Sequence, residues 1–261
     1  MTYCVAIATS NGLVFCSDSR TNAGADLLYS HSKMHVFSEA EDRMFVVLTA
    51  GNLATTQAII SRLEEEWNDP DAPQSLAKCT KMMEAAKYVS QVNREEQLHA
   101  QTATASTGVD TSASLILGGQ IKGGQPAIYM MYAAGNFISD SEDTPFLQIG
   151  ESKYGKPILD RILTRETSLE DAARCAIVSM DSTIKSNATV GPPIEVMVYE
   201  KDTFESDHYI RLEADDNYLH AIRQSWNDAL KTAFAELPKF DWEKRSNPGV
   251  NVLAMNKDIQ S

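Results

Sequence analysis

The chain opens on short apolar runs with strand character. Residues 2–8 (TYCVAIA) alternate, and Ser10-Asn11-Gly12 supplies a turn before LVFCSDSR. The pattern predicts a hairpin whose second strand spans 13–19. Met34 to Phe37 and Met44 to Leu48 give two further strands around the acidic turn 39–42, the second ending at Ala50-Gly51. From Asn52 the period lengthens. Leu53, Ala54, Ile59, Ile60 and Leu63 share a helical face before Glu64-Glu65-Glu66-Trp67, and residues 69–73 (DPDAP) break the helix. A second helix is predicted from Ser75 to Ala103. Strands return at 112–118 and 127–134 around Gly123-Gly124, with a short one at 145–149. Helices at 152–164 and 168–185 follow, the latter opened by Ser168 with Asp171 three positions on. Strands at 194–200 and 206–212 lead to an amphipathic helix from Asp215 to Glu236. It is expected to bury Leu219, Ile222, Trp226, Leu230 and Phe234, and Pro238 stops it.

Strands, two helices, strands, two helices, strands, one helix: this order segregates the elements instead of alternating them. It predicts an α+β fold of two stacked antiparallel sheets with helices outside. One domain over 1–242 is expected, with 243–261 as a surface or interface tail. A net charge of −13 argues against nucleic acid and anionic membrane surfaces as partners, because both select for basic patches. No apolar run approaches the roughly 20 residues that span a bilayer. The N-terminus lacks the basic-then-apolar pattern of a secretory signal. Cys4, Cys16, Cys79 and Cys175 are widely spaced, with no C-x-x-C pair, which suits buried thiols in a reducing cytoplasm.

The candidate chemistry lies in the first 51 residues. A threonine hydroxyl is a poor nucleophile unless a base and a positive charge sit beside it. If Met1 is removed, Thr2 carries its own base, an α-amine with an unperturbed pKa of about 7.7–8. Lys33 would favour loss of protons from both groups, and Asp18 would hold that lysine. Each residue alone has a plainer reading: Asp18 as a turn residue, Lys33 as a solvated charge. Their joint placement around the start of an apolar strand outweighs those readings.

These segments, MTYCVAI, GLVFCSDSRTNAG, SKMHVF and SNATVGPP with Thr49-Ala50-Gly51, resemble the proteasome β-subunit group of N-terminal nucleophile hydrolases. The resemblance points in particular to the bacterial branch called Anbu, the ancestral β-subunit type. It implies a four-layer αββα sandwich and a self-compartmentalising threonine peptidase. By the resemblance, Thr2 is the nucleophile, Lys33 lowers the local pKa, Asp18 orients Lys33 and the Gly51 N–H stabilises the oxyanion. Thr21, Thr49 and Leu53 would line a small to medium, mostly apolar specificity pocket. The supporting shell departs from the family. Gly150-Glu151-Ser152 stands where relatives have Gly-Ser-Gly, and Ser186-Asn187-Ala188-Thr189 stands where they have Asp-x-x-Ser. Ser17, Glu151, Ser152, Ser186 and Thr189 are therefore the candidate supporting residues.

The resemblance also implies a homo-oligomer, ring-like or an open spiral, with peptides as substrate, a regulatory partner left open and no cofactor. Two alternatives stand beside the peptidase: a narrow-specificity amidase or acyl-transfer enzyme, and a catalytically weak proteasome-like scaffold. No metal is called for, because His31 and His35 flank Lys33 without a third ligand.

Overall fold

The computed structural model describes residues 1–22, 28–39, 41–206 and 208–244. In chain order the strands are β1 (Tyr3–Thr9), β2 (Gly12–Asp18), β3 (Arg20–Asn22), β4 (Leu28–Ser30), β5 (Met34–Glu39) and β6 (Arg43–Gly51). Then follow β7 (Ala113–Ile121), β8 (Ala127–Met131), β9 (Phe137–Ser139), β10 (Phe146–Gly150), β11 (Ile194–Glu200) and β12 (His208–Leu212). The helices are α1 (Leu53–Asn68), α2 (Met82–Thr104), α3 (Lys156–Ile162), α4 (Leu169–Ser186), α5 (Asn217–Ala235) and α6 (Asp241–Lys244).

Among the described residues two antiparallel five-stranded sheets form, in the orders β10-β1-β2-β11-β12 and β5-β6-β7-β8-β9, with a small β3-β4 ribbon. The alternation in β1 explains how they stack. Tyr3, Val5 and Ile7 pack with Leu159, Ala176 and Met180 of α3 and α4. The small side chains Cys4, Ala6 and Ala8 face the other sheet, against Met44, Val46 and Ile116. On that sheet's far side, Phe45, Val47 and Leu117 pack with Ile59 and Leu63 of α1 and Val89 and Val92 of α2. Burial on both faces is why these strands read as near-continuous apolar runs. The result is the four-layer αββα sandwich that the sequence and the resemblance imply.

Several boundaries differ from the sequence reading, each for a tertiary reason. The second long helix starts at Met82, not Ser75. The Arg43 guanidinium draws in the carbonyls of Leu76, Ala77 and Cys79, which leaves Leu76–Lys78 as a separate 3₁₀ turn. Glu84 then accepts the N–H of Thr80 at 2.9 Å, fixing the new start. The helix expected at 152–164 is confined to Lys156–Ile162, with a proline in its first turn. Strand β8 stops at Met131, where Tyr132 turns the chain onto Asn136 and into β9.

By its internal contacts the chain divides into Met1–Arg223 and Gln224–Ser261. In the first part Asp216 accepts the N–H groups of Tyr218 and Leu219 at the start of α5, and Leu219 is buried. In the second part Leu230 and Phe234, expected to be buried, are 49% and 76% exposed. A helical stripe shows that an apolar face exists; whether a neighbour covers it is a separate matter. The rings of Phe240 and Trp242 stack at 5.4 Å. Of the expected tail, residues 245–261 lie outside the described residues. Among the described residues no helix is long and apolar enough to cross a membrane.

Phe15 is wholly buried between the sheets, where a Cβ at Gly118 would lie 2.5 Å from its ring. Phe15→Ala is expected to cost about 3–5 kcal/mol of stability, measured by urea unfolding; a loss below 1 kcal/mol would show that the sheets do not interlock there.

Candidate active site

Strand register brings Thr2 to the mouth between the sheets. Cys4 pairs with Ser17 across β1 and β2, and Tyr3 pairs with Gly150 across β1 and β10. The Tyr3 N–H donates to Asp18 Oδ1 at 3.0 Å, and the Glu151 N–H donates to the Thr2 carbonyl at 2.7 Å. Thr2 is thus held by backbone on both sides. Gly150 has φ +80, and a Cβ there would sit 1.9 Å from the Thr2 carbonyl oxygen, so only glycine allows this grip.

Lys33 lies just before β5, not on it, and its side chain is 9% exposed. Its ammonium donates to Asp18 Oδ1 at 2.7 Å and to the Arg20 carbonyl at 2.8 Å. The other Asp18 oxygen accepts the Gly191 N–H at 3.2 Å. Burial pushes the Asp18 carboxyl up, and Lys33 with the Tyr3 and Gly191 N–H groups pulls it back. The charged pair is desolvated yet well bonded, the condition under which a buried ion pair is tolerated.

The chain-terminal amine here is that of Met1. Its pKa is lowered, first by burial and then by Lys33, while Asp18 and Glu151 act against this. Removal of Met1 would hand the amine to Thr2, one residue nearer the strand. Gly51 closes β6 at φ +119, and a Cβ there would lie 2.2 Å from the Ser112 carbonyl oxygen. Just after it, Asn52 caps α1 by accepting the Thr55 N–H.

Thr2, Lys33 and Gly51 open into one cleft of about 1220 Å³. Thr21, Thr49 and Leu53 line it as the resemblance implies. On one side α1 turns Gln57, Ser61 and Glu64 toward it one turn after another, which makes that wall polar. His31 and His35 also line it; burial pushes the His35 imidazole down and the Glu195 carboxylate opposes this. Among the described residues no third ligand joins the two histidines as a metal would need.

The supporting residues are only partly brought together. Glu151 accepts from Asn187 Nδ2 at 3.3 Å, and the Thr189 hydroxyl donates to Asn187 Oδ1 at 2.6 Å. Ser186 is the exposed last residue of α4, so its neighbour Asn187 makes the link. Ser152 contributes backbone to the turn after β10, its N–H reaching the Gly150 carbonyl. Ser17 is buried and turns its hydroxyl to Glu195 at 3.5 Å. Asn187 and Glu195 are missing from the sequence reading. Glu195 had a signal, a charge among the apolar residues of a strand; Asn187 had only its neighbours.

The model of the family described as "Proteasome subunit" matches residues 2–199. The chain belongs to the proteasome subunit family. Among solved structures, this proteasome-family chain is similar to Anbu (ancestral beta-subunit) from Yersinia bercovieri, with 44% identity, 91% of this chain and 98% of that chain covered, and a TM-score of 0.85. It is equally similar to the chain in a structure described as the helical assembly of the Anbu complex from Pseudomonas aeruginosa, with 44% identity, coverages of 91% and 98%, and a TM-score of 0.86. Anbu from Hyphomicrobium sp. strain MC1 matches at 41% identity over 92% of this chain and 99% of that one, with a TM-score of 0.82. A comparison with curated proteins finds no match.

Lys33→Met would leave Asp18 as an unpaired buried charge. The variant is expected to lose about 3–5 kcal/mol at neutral pH. With its partner gone, the folded-state pKa of Asp18 rises further above its unfolded value. The loss should therefore shrink as pH falls through that raised pKa. Unfolding of wild type and variant across pH checks this; a pH-independent difference would contradict it.

Proposed function

We propose that this proteasome-family chain is a threonine-type hydrolase that cleaves peptide amide bonds, with Thr2 as nucleophile once Met1 is removed. The observation that carries the reading is the Lys33 ammonium, buried and held 2.7 Å from Asp18 in the cleft that Thr2 lines. In the proposed reaction the Thr2 α-amine takes the hydroxyl proton as Oγ attacks the substrate carbonyl. The oxyanion forms against the Gly51 N–H, a type of contact worth about 3 kcal/mol. The amine returns the proton to the leaving nitrogen, leaving an ester on Thr2. Water, activated by the same amine, then hydrolyses the ester and restores the hydroxyl.

The helical assembly described for the Pseudomonas aeruginosa relative supports a homo-oligomer here. Free, buried thiols at Cys4, Cys16, Cys79 and Cys175 fit work in the cytoplasm. A narrow-specificity amidase using the same nucleophile is a second reading, favoured by the polar α1 wall with Glu64. Turnover of many unrelated peptides would exclude it.

The test is intact mass before and after an electrophile that requires both hydroxyl and free amine. Loss of Met1 and one adduct, absent in Thr2→Ala, is expected; an unprocessed, unreactive chain would favour a scaffold instead. Adduct formation should also rise with pH as the Thr2 amine loses its proton, because Lys33 beside it disfavours the charged form. Lys33→Ala should move that limb to higher pH. A limb left in place by Lys33→Ala would contradict the electrostatic account.

A further inference from the structure

Glu195 is 2% exposed, the second residue of β11, whose other buried side chains are Ile194, Val196, Met197 and Tyr199. A buried carboxylate is costly unless its oxygens are well supplied with donors. Here the supply is unusually one-sided. Oε2 faces three serine hydroxyls, Ser19 at 3.0 Å, Ser32 at 2.9 Å and Ser17 at a long 3.5 Å. Oε1 accepts the Tyr209 hydroxyl at 2.5 Å, with an Arg211 guanidinium nitrogen at 3.8 Å. Burial and the Glu195 carboxylate push the Tyr209 hydroxyl up, so it remains a donor at neutral pH.

The identity of the serines gives the cluster its meaning. Ser17 and Ser19 flank Asp18, and Ser32 precedes Lys33. Glu195 pairs directly with Ser17 across β2 and β11. By strand alternation Ser17 and Ser19 share a face while Asp18 projects from the opposite one. The two members of the ion pair are 15 residues apart, and the intervening chain leaves the sandwich through the β3-β4 ribbon. Where it returns, contacts besides Glu195 also hold the crossing, among them the His31 N–H to the Ser19 carbonyl at 2.9 Å, Lys33 to the Arg20 carbonyl and the Arg20–Ser30 pairing of the ribbon. Glu195 Oε2 spans the same crossing from Ser19 to Ser32.

We infer that Glu195 is a positioning residue, a carboxylate clamp that binds the hydroxyls beside both members of the Asp18–Lys33 pair and thereby fixes the lysine ammonium relative to Thr2. The function it serves rests on the hydrolase reading. The clamp itself rests on geometry alone. Oε2 bears on the reactive end, whereas Oε1 reaches outward to β12, so the two sets of donors should differ in effect. Loss of Ser32 should resemble loss of the Glu195 charge; loss of the Tyr209 hydroxyl should matter less.

The experiment compares wild type, Glu195→Gln, Ser32→Ala, the double variant and Tyr209→Phe by two readouts. The first is the rate of the Thr2 adduct against pH. The charges that act on the Met1 amine, and that would neighbour the Thr2 amine after its removal, are Lys33, Asp18 and Glu151. A loosened Lys33 lowers the amine pKa less, so the acid limb should move to higher pH. Glu195→Gln and Ser32→Ala are each expected to slow acylation about 10–100-fold, the loss typical of a small misplacement. The double variant should be no worse than the slower single one, and Tyr209→Phe should stay within about threefold of wild type by the same reasoning. The second readout is the side-chain ¹⁵N–H signal of the Lys33 ammonium. It should be protected from exchange in wild type and broadened or lost in Glu195→Gln and Ser32→Ala. Should Glu195→Gln not fold, Ser32→Ala carries both readouts. Folded variants with the wild-type pH profile and an unchanged Lys33 signal would overturn the clamp. A wild type that forms no Thr2 adduct but shows the Lys33 changes would overturn the hydrolase reading and leave the clamp standing.

Discussion

One lysine ammonium, taken almost wholly out of water, constrains everything around the cleft. An ion stripped of its hydration costs several kcal/mol, and its attraction to a counter-ion offsets this only where geometry is good and the remaining lone pairs are met. The Asp18–Lys33 pair meets that condition through a definite set of partners. One carboxylate oxygen takes the ammonium and the Tyr3 N–H, the other takes the Gly191 N–H, and the lysine has a second acceptor in the Arg20 carbonyl. These donors and acceptors come from the start of β1, the loop before β11, the end of β2 and the start of β3. The pair therefore forms only when the three central strands of the first sheet, β1, β2 and β11, are assembled.

The layered architecture explains why such a pair can lie beside the first residues of the chain. A strand buried on both faces cannot begin far from the core, so β1 starts at the lip between the two sheets. Helices on the outer faces leave that lip open, and β5 with β6 supplies its other side. In the proposed reaction this makes the terminal amine both fixed and reachable, a combination that a loop-borne terminus would not offer.

The parts of the fold and of the candidate site that were legible in the sequence depend on near neighbours. Thr2, Asp18, Lys33 and Gly51 could be picked out because each sits at the end of a short apolar run, and their segments carry the family resemblance. The paired sheets followed from the segregated order of elements. What escaped depends on distant partners. Arg43 decides where α2 starts from more than thirty residues away, and the three-residue strands β3, β4 and β9 are too short to show a period. Asn187 was passed over for Ser186, since nothing in the local pattern says which of two adjacent polar residues faces Glu151. The polar wall of the cleft was missed for a related reason: polar side chains such as Gln57, Ser61 and Glu64 look the same in sequence whether they border bulk water or a cleft.

The replaced shell around Thr2 can be weighed by the same electrostatics. By the resemblance, Glu151 stands where relatives carry a serine, and a carboxylate near an amine raises its pKa, making it a worse free base at neutral pH. Against it stand burial and Lys33. Burial is the largest influence on the terminal amine, Lys33 comes second, and Glu151 is the weakest of the four contributors. The ordering is physically sensible. Lys33 is enclosed, so little water screens its field, while Glu151 is half-exposed and shares its charge with Asn187. The Met1 amine thus stays below its ordinary value with the acidic residue in place. In the proposed enzyme, the same opposition of Lys33 and Glu151 would act on the Thr2 amine that takes its place. Glu64 and Asp110 line the cleft, so in the proposed enzyme their charges would disfavour acidic substrates.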